Sequence, residues 1–115
     1  MIKKIHDIIE YAKSLGFIEY KIDEAYCKHN LYYKFPGMPD ESWVLSLYDD
    51  KTCLDIVGHV TVHEDLVETD EAKSYTEYQS WKFHLKRLAQ KCRKYVLMAK
   101  QYKEIKRLNA IKRDF

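Results

Sequence analysis

The last third of the chain concentrates positive charge at a spacing that could neutralise a polyanion. From Lys82 to Phe115 there are twelve Lys and Arg residues against two acidic ones. Five of the twelve fall on one stripe of a helix, and others flank that stripe. The residues predicted to bind an anionic partner are Lys82, Lys86, Arg87, Lys91, Arg93, Lys94, Lys100, Lys103 and Arg107. A nucleic-acid backbone suits such a track, because each cation that neutralises a phosphate releases a counterion.

The first 81 residues have the opposite character, so the small net charge of +2 conceals a strong asymmetry. Their acidic side chains fall mainly in predicted loops and in the segment before the last helix. A surface of this sign can occupy a basic groove that normally holds nucleic acid. Two other interpretations stay open, namely solubilising loops and pairing with the basic helix inside the molecule. The acidic residues concerned are Asp40, Glu41, Asp49, Asp50, Asp55, Glu64, Asp65, Glu68, Asp70, Glu71 and Glu77.

A zinc site is the first alternative chemistry to weigh. His59 and His63 would share one face of a strand, and so would Cys27 and His29. Two such pairs could build a tetrahedral site. Neither spacing is diagnostic, and the acidic residues lack the spacing of a calcium-binding loop. We therefore predict no metal site.

Covalent catalysis is the second alternative. The three cysteines, Cys27, Cys53 and Cys92, are widely spaced and form no C-x-x-C pair, which favours reduced thiols in cytoplasm. A catalytic thiol needs a neighbouring base, and the sequence places none beside them. The chain also lacks G-x-S-x-G, H-E-x-x-H and a glycine-rich phosphate loop. We predict a protein that is not an enzyme and needs no cofactor.

The elements that must position the basic residues can be read from periodicity. Apolar residues from Ile2 to Leu15 recur at helical spacing, and Gly16 follows where a helix C-cap glycine belongs. From Phe17 the pattern becomes alternation, although segment 19–29 fits either a strand or a helix. The next segments are predicted to be a strand at 31–35 and a loop at 36–41. Residues 43–48 and 52–57 are predicted to form a hairpin around a tight turn, and the second strand continues at 59–63 beyond a bulge at Gly58. An acidic linker is predicted at 64–73.

A capping-box sequence, Ser74 to Glu77, predicts the start of the last helix, which then runs without Gly or Pro to about Lys112. At 1.5 Å per residue this helix would be about 55 Å long, longer than a compact domain of this size can cover. Its apolar seam is Trp81, Leu85, Leu88, Cys92, Tyr95, Ala99 and Tyr102. After Tyr102 the apolar residues rotate away from this face. The end of the helix, 103–115, is therefore expected to project.

These elements predict a single α+β domain over residues 1–115. It comprises an N-terminal helix, an antiparallel meander of three or four strands and a long basic C-terminal helix, with both helices on one face of the sheet. No apolar run approaches the roughly 18 residues that span a membrane. The N-terminus lacks the apolar core of a secretion signal. We expect a soluble cytoplasmic protein without a membrane partner.

In general character the chain resembles small phage-encoded anti-defence proteins, above all anti-CRISPR inhibitors. The shared features are a short single domain, an absence of catalytic motifs, segregated charge and a composition rich in Lys, Ile and Tyr that is typical of AT-rich genes. The resemblance implies a protein that acts in a bacterial host cell and inhibits an RNA-guided nuclease by binding it. The basic helix would then contact guide or target nucleic acid, and the acidic body would contact basic protein channels.

Two other functions remain compatible with the sequence. One is a nucleic-acid-binding accessory protein that acts alone. The other is a structural protein that forms homodimers or larger homo-oligomers through the C-terminal helix. Salt-dependent binding of nucleic acid and the size of the free protein distinguish these functions.

Overall fold

The fold is α+β, as the sequence predicts, with two helices and an antiparallel sheet. A computed structural model of the chain describes residues 2–22 and 30–113. The helices are α1 (Ile2–Leu15) and α2 (Trp81–Arg113). The strands are β1 (Ile18–Tyr20), β2 (Leu31–Lys34), β3 (Leu45–Leu47), β4 (Leu54–Ile56), β5 (His59–His63), β6 (Leu66–Asp70) and β7 (Lys73–Ser74).

Helix α1 ends where the sequence predicts, at a glycine with left-handed backbone. Gly16 has a φ of +112°, a conformation that glycine adopts without steric cost. The backbone N–H of Gly16 donates to the carbonyl oxygen of Lys13 at 3.0 Å, and that of Phe17 to the carbonyl oxygen of Ala12 at 3.2 Å. These bonds satisfy carbonyls that the helix end would otherwise leave open. The chain then turns directly into β1.

The main sheet has the order β1-β2-β3-β4-β7, with every neighbouring pair antiparallel. Tyr33, Leu45 and Ile56 lie side by side across β2, β3 and β4, and all three are buried. The same core contains Ile8 from α1 and Leu85 from α2. Both helices therefore contribute to one core with this face of the sheet, and α2 also contacts α1 and the strands β5 and β6.

Strands β5 and β6 form a separate two-stranded sheet that departs from the main one. The pairing of β5 with β6 nevertheless keeps the register of β4 with β7, so the four strands are one long hairpin with a bend. At the bend Gly58 donates its N–H to the carbonyl oxygens of Asp70, at 2.9 Å, and Glu71, at 3.1 Å. A Cβ at position 58 would lie 3.0 Å from the Glu71 carbonyl oxygen. Glycine at position 58 therefore permits the close approach at the bend.

Two predictions about the segment before the last helix were wrong. Residues 64–73 are not a linker, because they contain β6 and the first residue of β7. Acidic residues lower the β-propensity of this segment, so its sequence does not indicate a strand. In the structure Val67 and Thr69 are half-buried and alternate with exposed residues. The register with β5, set by a two-residue turn in which Glu64 has a φ of 55°, overrides that propensity.

The start of the last helix also differs from the prediction. Ser74 does cap a helix, but the helix is a single 3-10 turn over Tyr75–Glu77. Helix α2 begins at Trp81, where the Ser80 hydroxyl oxygen accepts the backbone N–H of Phe83 at 3.4 Å. Its 33 residues make it about 50 Å long.

The apolar seam of α2 packs on the body as predicted and then ends. Leu85, Leu88, Cys92 and Tyr95 are buried. Every residue from Lys103 to Ile111 is exposed. The described structure is correspondingly elongated, with principal extents of 61 × 31 × 23 Å.

One earlier interpretation concerns residues beyond this description. Residues 23–29, the greater part of the segment that fitted either strand or helix, lie outside the described residues, whereas 18–20 is a strand. Across the described chain, no helix combines the length and the apolar character needed to cross a membrane.

Candidate nucleic-acid interface

All nine predicted binding residues lie on α2, and all nine are exposed. At 100° of rotation per residue, Lys82, Lys86 and Lys100 fall within about 40° of one another and form a first row. Arg93 and Arg107 extend this row. The second row lies about 120–180° around the helix from Lys82 and contains Arg87, Lys91 and Lys94. The two rows therefore flank the outward face of the helix.

The outward face between the rows carries uncharged side chains. Phe83 and Leu97 are 62% and 58% exposed. At 100° per residue, Gln90, Gln101 and Leu108 fall on the same line. The helix therefore presents to solvent two rows of cations, with a line of amide and apolar side chains between them. Glu104 interrupts the first row beyond Lys100.

Two cations of the first row are held against the body. Arg93 donates from Nη2 to the carbonyl oxygen of Leu15 at 2.7 Å, and its guanidinium carbon lies 5.4 Å from the ring centre of Phe35. The Nζ atom of Lys82 lies 5.3 Å from the ring centre of Tyr11. Cations over aromatic faces are attracted by the ring quadrupole. Arg93 therefore also links α2 to α1 and to the body of the protein.

Pairing of α2 with the acidic body is not observed in the described part of the chain. Among the described side chains, no salt bridge joins a Lys or Arg between Lys82 and Arg107 to a carboxylate. Lys34 pairs with Asp40 at 2.7 Å, and His59 with Glu71 at 3.1 Å. The charge of the helix is thus available to a partner.

The acidic residues of the body lie largely at its surface, both in loops and on strands. On the bent hairpin, Glu68 and Asp70 are exposed on one face of β6, while Val67 and Thr69 turn inward. Asp55 accepts a hydrogen bond from the Tyr48 hydroxyl at 2.9 Å, and Asp50 accepts one from the backbone N–H of Thr52 at 3.0 Å. These carboxylates form local contacts that do not involve α2.

A cleft of about 280 Å³ opens where the second row of α2 meets the bend of the hairpin. Arg87 and Lys91 line it from the helix, and Lys73 lines it from β7. Its acidic member, Glu71, lies 3.1 Å from His59. The lining therefore carries three Lys or Arg side chains and one carboxylate.

The floor of the cleft is fixed by hydrogen bonds and by ring stacking. The His84 Nε2 atom is 2.9 Å from the carbonyl oxygen of Val57, and the His84 ring stacks on Tyr78 with centroids 4.2 Å apart. The Tyr78 hydroxyl donates to the carbonyl oxygen of Ile56 at 2.8 Å. Burial, together with nearby Glu77, raises the pKa of Tyr78 above its ordinary value. Tyr78, which precedes α2, is thus joined to β4, and His84, in the first turn of α2, is joined to the residue that follows β4.

Those residues weighed for zinc and for covalent chemistry that the structure describes, His59, His63, Cys53 and Cys92, do not form a metal-binding group. His59 and His63 share the exposed face of β5, while Cys27 and His29 lie outside the described residues. Cys53 is exposed, and Cys92 is buried. Burial raises the pKa of the Cys92 thiol to about 12, with only a small opposing effect from Arg93. Among the described residues, no three His, Cys, Asp or Glu side chains are grouped to hold a metal ion.

Sequence reasoning missed the contribution of the hairpin to this region. Lys73 was assigned to a linker, and neither Tyr78 nor His84 was considered as part of a site. The cleft depends on the bend at Gly58, which brings segments far apart in sequence together. The one local signal was the glycine itself, next to an alternating strand.

Comparisons with protein-family models, with curated proteins and with solved structures give no match to this chain.

Proposed function

We propose that this protein is a non-catalytic binding protein that recognises nucleic acid through the outward face of α2. The observation that carries the proposal is the exposure of nine cations, eight of them in two rows, without a salt bridge from any of the nine to a carboxylate among the described residues. A solvated helix face usually mixes both signs, so a surface of this kind has a partner with strong negative charge.

The two rows favour a duplex over a flat anionic surface. The major groove of B-form DNA is about 12 Å wide and admits one α-helix. A helix in that groove has phosphates on both sides, which the rows of Lys82 and Arg87 would meet. Gln90 and Gln101 can pair with adenine edges, and Leu97 can contact a thymine methyl group. The deep, narrow major groove of A-form RNA does not admit side chains in this way.

Self-association through α2 is less favourable on electrostatic grounds. A dimer formed along this face would bring two copies of the same cationic rows together, and like charges at close range repel. An anionic partner gains from the same charges. The homo-oligomer is therefore the weaker alternative.

The more specific form of the proposal is inhibition of an RNA-guided nuclease. It rests on the resemblance in general character to anti-CRISPR inhibitors and on the separation of charge between α2 and the body. In this form α2 contacts the target DNA, and the acidic hairpin face of Glu68 and Asp70 contacts a basic channel of the nuclease.

The direct test is binding of a 20-base-pair DNA duplex by fluorescence anisotropy at several salt concentrations. The test variant carries Lys86→Glu, Lys100→Glu and Arg107→Glu. The control carries Lys3→Glu, Lys4→Glu and Lys13→Glu on α1, which changes the net charge equally; all six of these side chains are exposed. Arg93 is left unchanged because it contacts α1.

The expected result is loss of binding in the α2 variant alone. The slope of log K against log salt should fall by about 0.9 for each phosphate contact removed. The duplex of the same sequence in RNA should bind more weakly. Equal losses in both variants would mean that only overall charge matters, and the interface on α2 would be wrong.

Inhibition is tested separately with guide-loaded CRISPR nucleases cleaving a plasmid while the protein is titrated. Stoichiometric loss of cleavage, abolished by the α2 variant, supports the specific form. Intact cleavage by nucleases of several types, with DNA binding retained, would favour the accessory protein that acts alone.

A further inference from the structure

We infer that the cleft between α2 and the bent hairpin is a binding site for the phosphate group of a nucleotide. This goes beyond the proposed function, because a groove-binding helix does not require a pocket. The site combines Arg87 and Lys91 of α2 with Lys73 of β7. Three permanent cations around one cavity are a common provision for a phosphate dianion.

The charge inside the cleft is only partly cancelled by its acidic member, because Glu71 carries one negative charge against three Lys or Arg side chains. The Oε2 atom of Glu71 lies 3.1 Å from Nε2 of His59, and both side chains are exposed. Arg87, Lys91 and Lys73 have no salt bridge within the described residues. A phosphate entering the cleft would therefore meet a net positive lining.

The size and apolar content of the cleft indicate more than an inorganic ion. Its volume of about 280 Å³ is close to the lower end of ligand pockets, which start near 300 Å³. Val60 and Leu88 lie almost fully buried behind the lining, and Tyr78 and His84, both half-buried, supply ring surfaces. Such surfaces suit the sugar or base of a nucleotide, while the cations hold its phosphate.

The walls of the cleft are built before any ligand arrives. Tyr78 is bound through its hydroxyl to Ile56, and His84 is stacked on Tyr78 while it contacts Val57. On the hairpin side, Gly58 donates to two carbonyl oxygens at the bend. A ligand would therefore not have to order this backbone, which lowers the entropic cost of binding.

The phosphate could come from a free mononucleotide or from the end of a nucleic-acid strand. Both present the same phosphate monoester, and one experiment distinguishes them. The probes are AMP and pyrophosphate, with adenosine as the matched ligand that lacks phosphate. Binding is followed by the backbone amide NMR signals of Val60, His84 and Leu88.

AMP and pyrophosphate should shift these signals saturably below about 1 mM, and adenosine should not shift them at that concentration. The test variant, Arg87→Gln with Lys91→Gln, should weaken AMP binding at least tenfold. The control, Lys3→Gln with Lys4→Gln on α1, removes the same charge outside the cleft and outside the two rows, and should leave the affinity within about twofold. Equal weakening in both variants, or no saturable shift by 10 mM, would overturn the inference.

A second measurement identifies the source of the phosphate and separates this inference from the proposed function. A DNA oligonucleotide with a 5′-phosphate is compared with the same strand ending in a hydroxyl. Tighter binding of the phosphorylated strand by at least fivefold, lost in the cleft variant, assigns the site to strand ends. Equal binding of the two strands with saturable AMP binding assigns it to free nucleotides. AMP binding without any DNA binding would remove the proposed function and leave the cleft site standing.

Discussion

Arg93 of α2 donates a hydrogen bond of 2.7 Å to the carbonyl oxygen of Leu15, the last residue of α1. The guanidinium thus lies at the C-terminus of a helix, where the backbone dipole attracts positive charge. It also lies over the ring of Phe35. One member of the cationic row is therefore a link between the two helices.

Replacing Arg93 by Gln should destabilise the fold, whereas Lys86→Gln should not. The free energy of unfolding should fall by about 1 kcal/mol. A hydrogen bond from a charged donor contributes more than this when it is buried, and less when it is exposed, as it is here. Urea unfolding of both variants measures the difference. If Arg93→Gln unfolds at the wild-type midpoint, the contact with Leu15 contributes nothing to stability.

The apolar seam of α2 gives a second prediction. Leu88→Ala should cost about 2–5 kcal/mol, because Leu88 is 3% exposed and its removal leaves a cavity. Leu97→Ala, on the opposite face and 58% exposed, should cost less than about 0.5 kcal/mol. Thermal or urea unfolding provides the comparison. Similar losses in both variants would contradict the orientation of the helix.

Thiol labelling provides a third test. In a Cys27→Ser background, two thiols remain, of which Cys53 is exposed and Cys92 is buried. Only the thiolate reacts, and burial raises the pKa of Cys92 to about 12. At pH 8 an alkylating reagent should modify Cys53 first, and Cys92 only after denaturant is added. Mass spectrometry of the peptides distinguishes the two. Rapid labelling of native Cys92 would show that the seam opens.

The same thiol predicts a fall in stability at alkaline pH. The pKa of Cys92 is higher in the folded state than its ordinary value of 9.0, so above pH 9 the unfolded state loses a proton that the folded state retains. Stability is therefore unaffected below pH 9 and falls by at most about 1.4 kcal/mol per pH unit up to about pH 12. The pKa of Tyr33 is also raised, by burial and by its hydrogen bond to Glu19, which adds to the fall above pH 10.

The measurement is urea unfolding between pH 8 and pH 11. Cys92→Ala should be less stable at pH 8 because the buried side chain is truncated, but its stability should decline less steeply with pH. A decline of the same steepness in both proteins would assign the alkaline sensitivity to other groups.

The exposed end of α2 leads to a fifth prediction. From Lys103 to Ile111 no residue is buried, and a helical segment without tertiary packing is marginal in water. Backbone amides in this segment should exchange rapidly with deuterium in a verified monomer, while those around Leu88 stay protected. Addition of the DNA duplex should slow exchange beyond Lys103. Strong protection in the free monomer would show that the segment packs against its own body.

The parts of the fold that could be predicted from the sequence depend on patterns among neighbouring residues. The helical spacing of Ile5, Ile8 and Ile9 and the glycine at position 16 define α1. The turn between β3 and β4 and the alternation that precedes it define the centre of the sheet. The seam of α2 from Leu85 to Tyr95 is also local, because helix periodicity depends on near neighbours alone.

The unpredicted part depends on contacts between distant segments. Residues 66–70 become a strand because β5 offers a partner in register, not because of their own propensity. The helix start moves from position 74 to position 81 because Tyr78 bonds to β4 and interrupts the run. The cationic rows could be predicted from the sequence. The cleft could not be predicted, because Lys73 and Arg87 line the same cavity only when the hairpin is bent.

The division of α2 at Tyr102 also separates two kinds of mutational constraint. Before this residue, a substitution on the seam is felt by the whole fold. Beyond it, a substitution alters no buried side chain, so the stability of the fold and the cellular abundance of the protein should not change. A library of variants scored for abundance would therefore tolerate almost any residue from Lys103 to Ile111. The same library scored for binding would identify which of those positions contact the partner.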